Sequence, residues 1–279
     1  MLQRTLVIRA GMAALVSGGL WLAMTQQGGA PLTVEKLADD LHIIVGSGGN
    51  VAVLTTDEGT VLVDDKFDRN VPEILEKVKS ITSQPVKWVV NTHHHGDHSG
   101  GNTTLIKTAT IVGHDNVFVN MVKGKQPGPP QITFNDKASV RVGGKEIRMH
   151  HFGRGHTNSD SVVVFPAHRV IHMGDLYNPG GPFIDYNNGG SAMAWTETIA
   201  RALELDFDRV IPGHGAVMKK ADLAAWNESF RKMRNTVADW KKQGKSADEI
   251  ARGVDPKQFG WGAGPFWAKN VPGLVAELP

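Results

Sequence analysis

Asn91-Thr92-His93-His94-His95-Gly96-Asp97-His98-Ser99-Gly100 is the stretch on which the reading of this chain turns. Four imidazoles and one carboxylate fall between His93 and His98. Just before it, Val86–Asn91 is apolar and β-branched, the composition of a buried strand. At an extended strand end alternate side chains share a face, so His93 and His95 are predicted to point one way and His94 the other. Gly96 lets the backbone turn, so that Asp97 and His98 can face back toward the first pair.

Three further candidates lie downstream, each at or just past the C-terminal end of a predicted strand and each beside glycine. They are Gly155-His156-Thr157, Gly174-Asp175 and Gly213-His214-Gly215. Singly, each is an ordinary loop polar; jointly with the first cluster they make five histidines and two carboxylates. One tetrahedral ion takes three or four ligands, so this set suits two ions with a carboxylate between them. The chain has no cysteine, which removes disulfides, thiolate ligands and a thiol nucleophile. With only nitrogen and oxygen donors, zinc is the expected metal, iron its rival, and manganese admissible. His42, His94, His114, His150, His151, His168 and His172 are expected to play structural parts.

Outward from the cluster, the chain alternates strands and helices. His42–Val45, Val51–Thr55 and Thr60–Asp64 read as short strands, followed by a helix that Asn70 caps with Glu73 three residues on. Its apolar face is Val71, Ile74, Leu75, Val78 and Ile81. Ser139–Met149 reads as a hairpin turning at Gly143–Gly144, and Ser161–Phe165 and Arg169–Met173 as two more strands. Ser191–Leu205 is helical, and Arg209–Ile211 is a strand that runs into His214. In Ala221–Lys242 the apolar residues follow a helical spacing suited to packing on the domain body. Ser246 and Glu249 cap a short final helix, and Gly124–Pro130 is a flap or a connection near the site. Both halves run strands, helix, then a strand ending at a histidine. That order suggests an α/β (α+β) fold of two β layers covered by helices.

Lys and Arg number 30 against 28 Asp and Glu; Arg4 and Arg9 are the only charges of the first thirty residues, so the body is balanced. A neutral body argues against a nucleic-acid partner. Met1–Arg9 is basic, Ala10–Met24 is apolar, and Gly28–Ala30 is small, the order of a secretory signal. Residues 1–30 are therefore expected to export the protein to the periplasm or medium, or to anchor it if uncleaved. Any membrane contact is expected only there.

With these residues in place, the chain resembles the metallo-β-lactamase-fold hydrolase superfamily. The family pattern is H-x-H-x-D-H, a distant His, a bridging Asp and a last His, and all are present in order between Leu32 and Lys219. The resemblance implies a four-layer αββα sandwich with metals at one edge. It makes residues 31–279 one such domain, with a helical extension from about residue 221. It implies that His93, His95 and His156 hold a first metal, that Asp97, His98 and His214 hold a second, and that Asp175 bridges them. Asp175 stands where cysteine-bearing β-lactamase subclasses place a Cys, as in the glyoxalase II and lactonase branches. His95 disfavours the flavodiiron branch, which has Glu there. The expected activity is that of an exported binuclear zinc hydrolase cleaving an ester, thioester, lactone or amide of a small molecule with a hydroxide between the metals. Asp97 is expected to orient that nucleophile or shuttle a proton. Tyr177, Asn178 and Asn187–Ser191 are expected at the rim, where Asn or Tyr could donate to an oxyanion. Alternatives on the same ligands are a β-lactamase and a mononuclear iron sulfur dioxygenase; a nucleic-acid-processing enzyme and a non-catalytic binder fit less well.

Overall fold

Strands rich in Val, Ile and Leu, buried on both faces, must be covered on both sides, and that requirement organises this molecule. The structure, a computed structural model, describes residues 31–262 and 266–279. The expected export or anchor segment lies outside the described residues. Among the described residues no helix is long and apolar enough to cross a membrane.

The first sheet takes its strands in sequence order: β1 (Thr33–Lys36), β2 (Leu41–Val45), β3 (Val51–Thr56), β4 (Gly59–Val63), β5 (Val86–Val90), β6 (Thr110–His114) and β7 (Ile132–Phe134). β1 to β4 form an antiparallel meander, whereas β4, β5, β6 and β7 run parallel. The second sheet holds β8 (Lys137–Val142), β9 (Lys145–His150), β10 (Val162–Phe165), β11 (Val170–His172), β12 (Arg209–Ile211) and β13 (Met218–Lys219). It is antiparallel except for the pair β11 and β12. The helices are α1 (Val71–Ile81), α2 (Gly96–Ser99), α3 (Asn102–Leu105), α4 (Asp115–Lys123), α5 (Ala192–Leu203), α6 (Lys220–Lys242), α7 (Ala247–Gly253) and α8 (Trp267–Glu277).

Side-chain alternation splits the apolar residues into three cores. Between the sheets, Ile43, Val61, Val63 and Val90 meet Ile147, Val163, Phe165 and Ile211. Ile44, Leu62, Val89 and Ile111 face the other way, onto Val71, Ile74 and Val78 of α1. Val162, Val164, Ile171 and Val210 face Trp195, Ile199, Leu223, Trp226 and Phe230 of α5 and α6, with Val271 and Leu274 of α8. Helix, sheet, sheet, helix is the expected αββα sandwich. Each fully buried aliphatic side chain contributes about 1.5–3 kcal/mol through burial.

In each sheet a helix carries the chain between two parallel strands, α1 from β4 to β5 and α5 from β11 to β12. The carboxyl ends of such strands are where open α/β sheets bind ligands. Here those ends release Asp64, His93, Asp175 and His214.

Several expectations are corrected. Asn70 makes no side-chain cap, because it already lies in a 3₁₀ turn with helical φ −87° and ψ −15°. Glu73 instead accepts from the backbone N–H of Leu32 at 2.9 Å. Strand β5 stops at Val90, so His93 and His95 are carried by an irregular segment rather than by strand alternation. The Ser246–Glu249 capping box forms, but α7 is not the last helix. Helix α8 follows it and was hidden by Pro272 and Gly273, which penalise a helix locally. The segment Gly124–Pro130 is a connection tied down by Gln126 Nε2 donating to Ser99 Oγ and Asn102 Nδ2 donating to Gly128 O.

Candidate metal centre

All seven predicted residues meet at one edge of the two sheets. One atom each of His93, His95, His156 and Asp175 lies within 4.8 Å of the others, and so does one each of Asp97, His98 and His214. Asp175 Oδ1 is 3.2 Å from His98 Nε2 and 3.4 Å from His214 Nε2, while its Oδ2 is 3.7 Å from His156 Nε2. One carboxyl thus faces both groups. Asp97 Oδ2 stands 3.3 Å from His214 Nε2 and 3.7 Å from His98 Nε2. His93, His98 and His156 are fully buried, whereas Asp97 and His214 are 28% and 35% exposed and mark the open side.

The outward ring nitrogens are held by acceptors. His98 Nδ1–H donates to Asp64 Oδ2 at 2.7 Å, and His156 Nδ1–H to Phe183 O at 2.6 Å. His95 Nε2–H donates to Asp185 Oδ2 at 2.9 Å. His93 Nδ1–H donates to Thr92 Oγ1 at 3.1 Å, which in turn donates to Asp64 Oδ2 at 2.8 Å. These bonds fix each tautomer and aim the other nitrogen inward. His156 Nε2 and His95 Nδ1 then face each other across 2.8 Å with lone pairs on both. His93 Nε2 and Asp175 Oδ1 are buried without a hydrogen-bond partner. Converging lone pairs and orphaned acceptors repel one another, and a cation among them removes that cost. The donor set therefore fits metal.

Protonation agrees with this for most of the set. Burial drives His93 well below the ordinary imidazole range, and the neighbouring imidazoles push it further. Burial likewise brings His156 down to about 4, against the pull of Asp175. Burial would raise Asp175, but the charge of His98, 3.2 Å away, holds it well below the usual carboxylate range. Asp97 is held at about 2 because its bond to His214 and the charge of His98 outweigh burial. Neutral imidazoles and ionised carboxylates are the forms that bind cations. His98 is the exception: burial works against its charge, yet Asp175 and Asp64 raise it well above its ordinary value. A cation at His98 Nε2 must displace that proton.

Glycine is required at two points of this wall. A Cβ on Gly49 would overlap the His98 ring, and one on Gly213 would overlap Asp175 Oδ1. The His214 loop is gripped across the sandwich by Asn50, whose Nδ2 donates to Pro212 O at 2.9 Å and Gly215 O at 2.8 Å.

Sequence reasoning missed Asp64 and Asp185. Both lack metal-ligand spacing, but Asp64-Asp65 closes an apolar strand, and acids at such a place are a usable signal. Asp64 sits in the left-handed region at φ 64°, as does Lys66 at φ 59°, a conformation that tends to cluster at functional sites. His172 is a buried link, its Nε2–H donating to Asn50 O at 3.1 Å. His94 turns toward Ser159 Oγ at 3.1 Å and Asn120 Nδ2 at 3.3 Å. Tyr177 is not at the rim; it is buried edge-on against Trp226. Asn178 forms a turn by accepting from Gly180 N–H. Asn188 works indirectly, donating to the Asp185 carboxyl from both its backbone and its side chain.

The comparisons agree with this geometry. A family profile described as "Metallo-beta-lactamase superfamily" matches residues 44–214. The chain belongs to that superfamily of metal-dependent hydrolases. It is 29% identical over 174 residues to the metallo-beta-lactamase type 2 of Bacillus cereus, covering 60% of this chain and 67% of that protein. It is 25% identical over 235 residues to the 2,4-dinitroanisole O-demethylase subunit alpha of Nocardioides sp. (strain JS1661), covering 82% of this chain and 68% of that one. The solved structure of a metallo-beta-lactamase from Pontibacter korlensis superposes with a TM-score of 0.65 at 23% identity, over 72% of this chain and 99% of the other.

Proposed function

We propose that this protein is an exported binuclear zinc hydrolase that cleaves an ester, thioester, lactone or amide of a small molecule. The observation that carries the reading is the inward convergence of five imidazoles and two carboxyls, with the outer nitrogens of His93, His95, His98 and His156 already held. His93, His95 and His156 would hold one ion, Asp97, His98 and His214 the other, and Asp175 would lie between. Two divalent cations there would supply a water of lowered pKa and an electrophilic pull on a carbonyl oxygen. The chain's own residues do the rest. Asp97, ionised and at the open side, can hold the attacking water and accept its proton. Phe183 lies beside the rings of His95 and His156, at 6.2 and 5.6 Å between centroids, and presents an apolar wall to a substrate. The basic-then-apolar order of residues 1–30 supports export.

A second reading is a β-lactamase, favoured by the name of the Bacillus cereus relative. The cysteine-free site with Asp175 between the clusters favours the first reading. Metal analysis of the purified protein, followed by lactone, thioester and β-lactam substrates including nitrocefin, tests both. Two zincs per chain with lactone or thioester turnover is expected. Fast nitrocefin hydrolysis makes it a β-lactamase, and one iron with oxygen uptake overturns hydrolysis altogether.

A further inference from the structure

The segment 182–185 carries two of the contacts that aim the first cluster. Phe183 O receives His156 Nδ1–H, and Asp185 receives His95 Nε2–H. Residues 182–185 belong to neither sheet, so their conformation must be held from outside. Asp185 is tied through its N–H to His156 O at 2.9 Å, and Asn270, on α8, holds the stretch before it. Its Oδ1 accepts from Ile184 N–H at 3.0 Å and its Nδ2 donates to Pro182 O at 2.8 Å. These bonds bracket Phe183 on both sides and so fix the direction of its carbonyl.

Asn270 is only 2% exposed, so neither bond is shared with solvent. Three further contacts hold α8 and the residue before it against this segment and the stretch that follows it. The Phe266 ring packs on that of Phe183 with 4.9 Å between centroids. Gly273 lies against the Tyr186 ring with no room for a Cβ. Glu277 accepts from Ser191 Oγ and from Ala192 N–H, just beyond the segment. Helix α8 lies past residue 214, where the family match ends.

We propose that Asn270 is a positioning residue for the metal centre, acting through Phe183 O on His156. This rests on the metal-site reading above. The C-terminal extension is thereby part of the scaffold that orients an imidazole of the first cluster. Without the clamp, Phe183 O loses its fixed direction and the His156 ring gains freedom, whereas Asp185 keeps its own ties to His156 O, Gly190 N–H and Asn188; the inward nitrogens no longer converge before an ion arrives. Partners that orient ligands typically govern about 10–100-fold of metal affinity.

The test uses full-length apo-protein titrated with Co(II), reading affinity by chelator competition and site geometry by the visible absorption of the bound ion. Asn270→Ala is expected to weaken the first ion about 10–100-fold and to alter the spectrum. Asn270→Asp keeps the bond from Ile184 N–H and loses the donor to Pro182 O, so a smaller loss is expected. Leu274→Ala, in the apolar core of the same helix, is expected to lower Tm while leaving affinity and spectrum as in the wild type. In the wild type itself, loading should slow hydrogen exchange at the Ile184 amide, since coupling is reciprocal. Wild-type affinity and spectrum in Asn270→Ala, equal changes in Leu274→Ala, or unchanged exchange at Ile184 would each overturn the proposal. No uptake by the wild type would instead sink the metal-site reading, and this proposal with it.

Discussion

Asp64→Asn changes one atom in size and shape, yet it should weaken both ions unequally. The Asp64 carboxyl receives Thr92 N–H at 2.7 Å, Thr92 Oγ1–H at 2.8 Å and His98 Nδ1–H at 2.7 Å. An amide keeps one acceptor and gains two donors. With its oxygen toward Thr92 N–H, its NH₂ meets His98 Nδ1, which must then give up its proton. The proton moves to Nε2, the atom that faces the second group, and a cation is excluded there. With the amide turned round, NH₂ opposes Thr92 N–H, and a buried donor is left unpaired at about 1–3 kcal/mol. Either way the relay from His93 through Thr92 is loosened as well. The expected loss is about 10–100-fold in affinity, which is about 1.4–2.8 kcal/mol. It should be larger for the ion at His98, which touches Asp64 directly, than for the ion at His93, which reaches it through a hydroxyl. Stepwise zinc titration of apo-protein against a chromophoric chelator resolves the two. Two ions bound within twofold of wild-type affinity would show that Asp64 does not set the tautomers.

Asp97→Asn should leave the fold intact and cut turnover by orders of magnitude, measured on protein shown by elemental analysis to hold its full metal; near-wild-type turnover would remove Asp97 from proton handling. Chelation should lower Tm and added zinc should restore it, because binding only to the folded state contributes about 2.7 kcal/mol at a hundredfold excess over Kd; a Tm indifferent to chelator contradicts a site built around cations. Asp160, raised to about 7 by burial despite its bonds from Thr157, binds a proton more tightly folded than unfolded. Its contribution to stability is therefore complete below the unfolded carboxyl value and is lost as pH rises toward and through 7. Denaturant unfolding of Asp160→Asn should show a flatter profile over that window, and an unchanged slope would refute the assignment.

The candidate metal donors stand out in the sequence because their chemistry is local. H-x-H-x-D-H places nitrogen and oxygen ligands within a few residues, and glycines beside His156, Asp175 and His214 advertise tight turns at strand ends. The layers were legible for a related reason: apolar strands such as Gly59–Val63 and Val162–Phe165 must be covered on both faces, and a short unbroken run of β-branched residues between turn signals records that. The groups that aim the ligands left no such mark. Asp64 lies 34 residues from His98, Asp185 lies 90 from His95, and Asn270 lies 86 from Ile184, and each pair meets only because sheet order and helix packing bring it together. Helix α8 was invisible because Pro272 and Gly273 disfavour a helix locally, while burial of Val271 and Leu274 in the outer core outweighs that preference. The sequence by itself determined which atoms can grip a cation and which faces must be buried, since both follow from residue type and short spacing. Tertiary structure alone decided which nitrogen of each ring points inward, because that depends on an acceptor supplied from elsewhere in the fold.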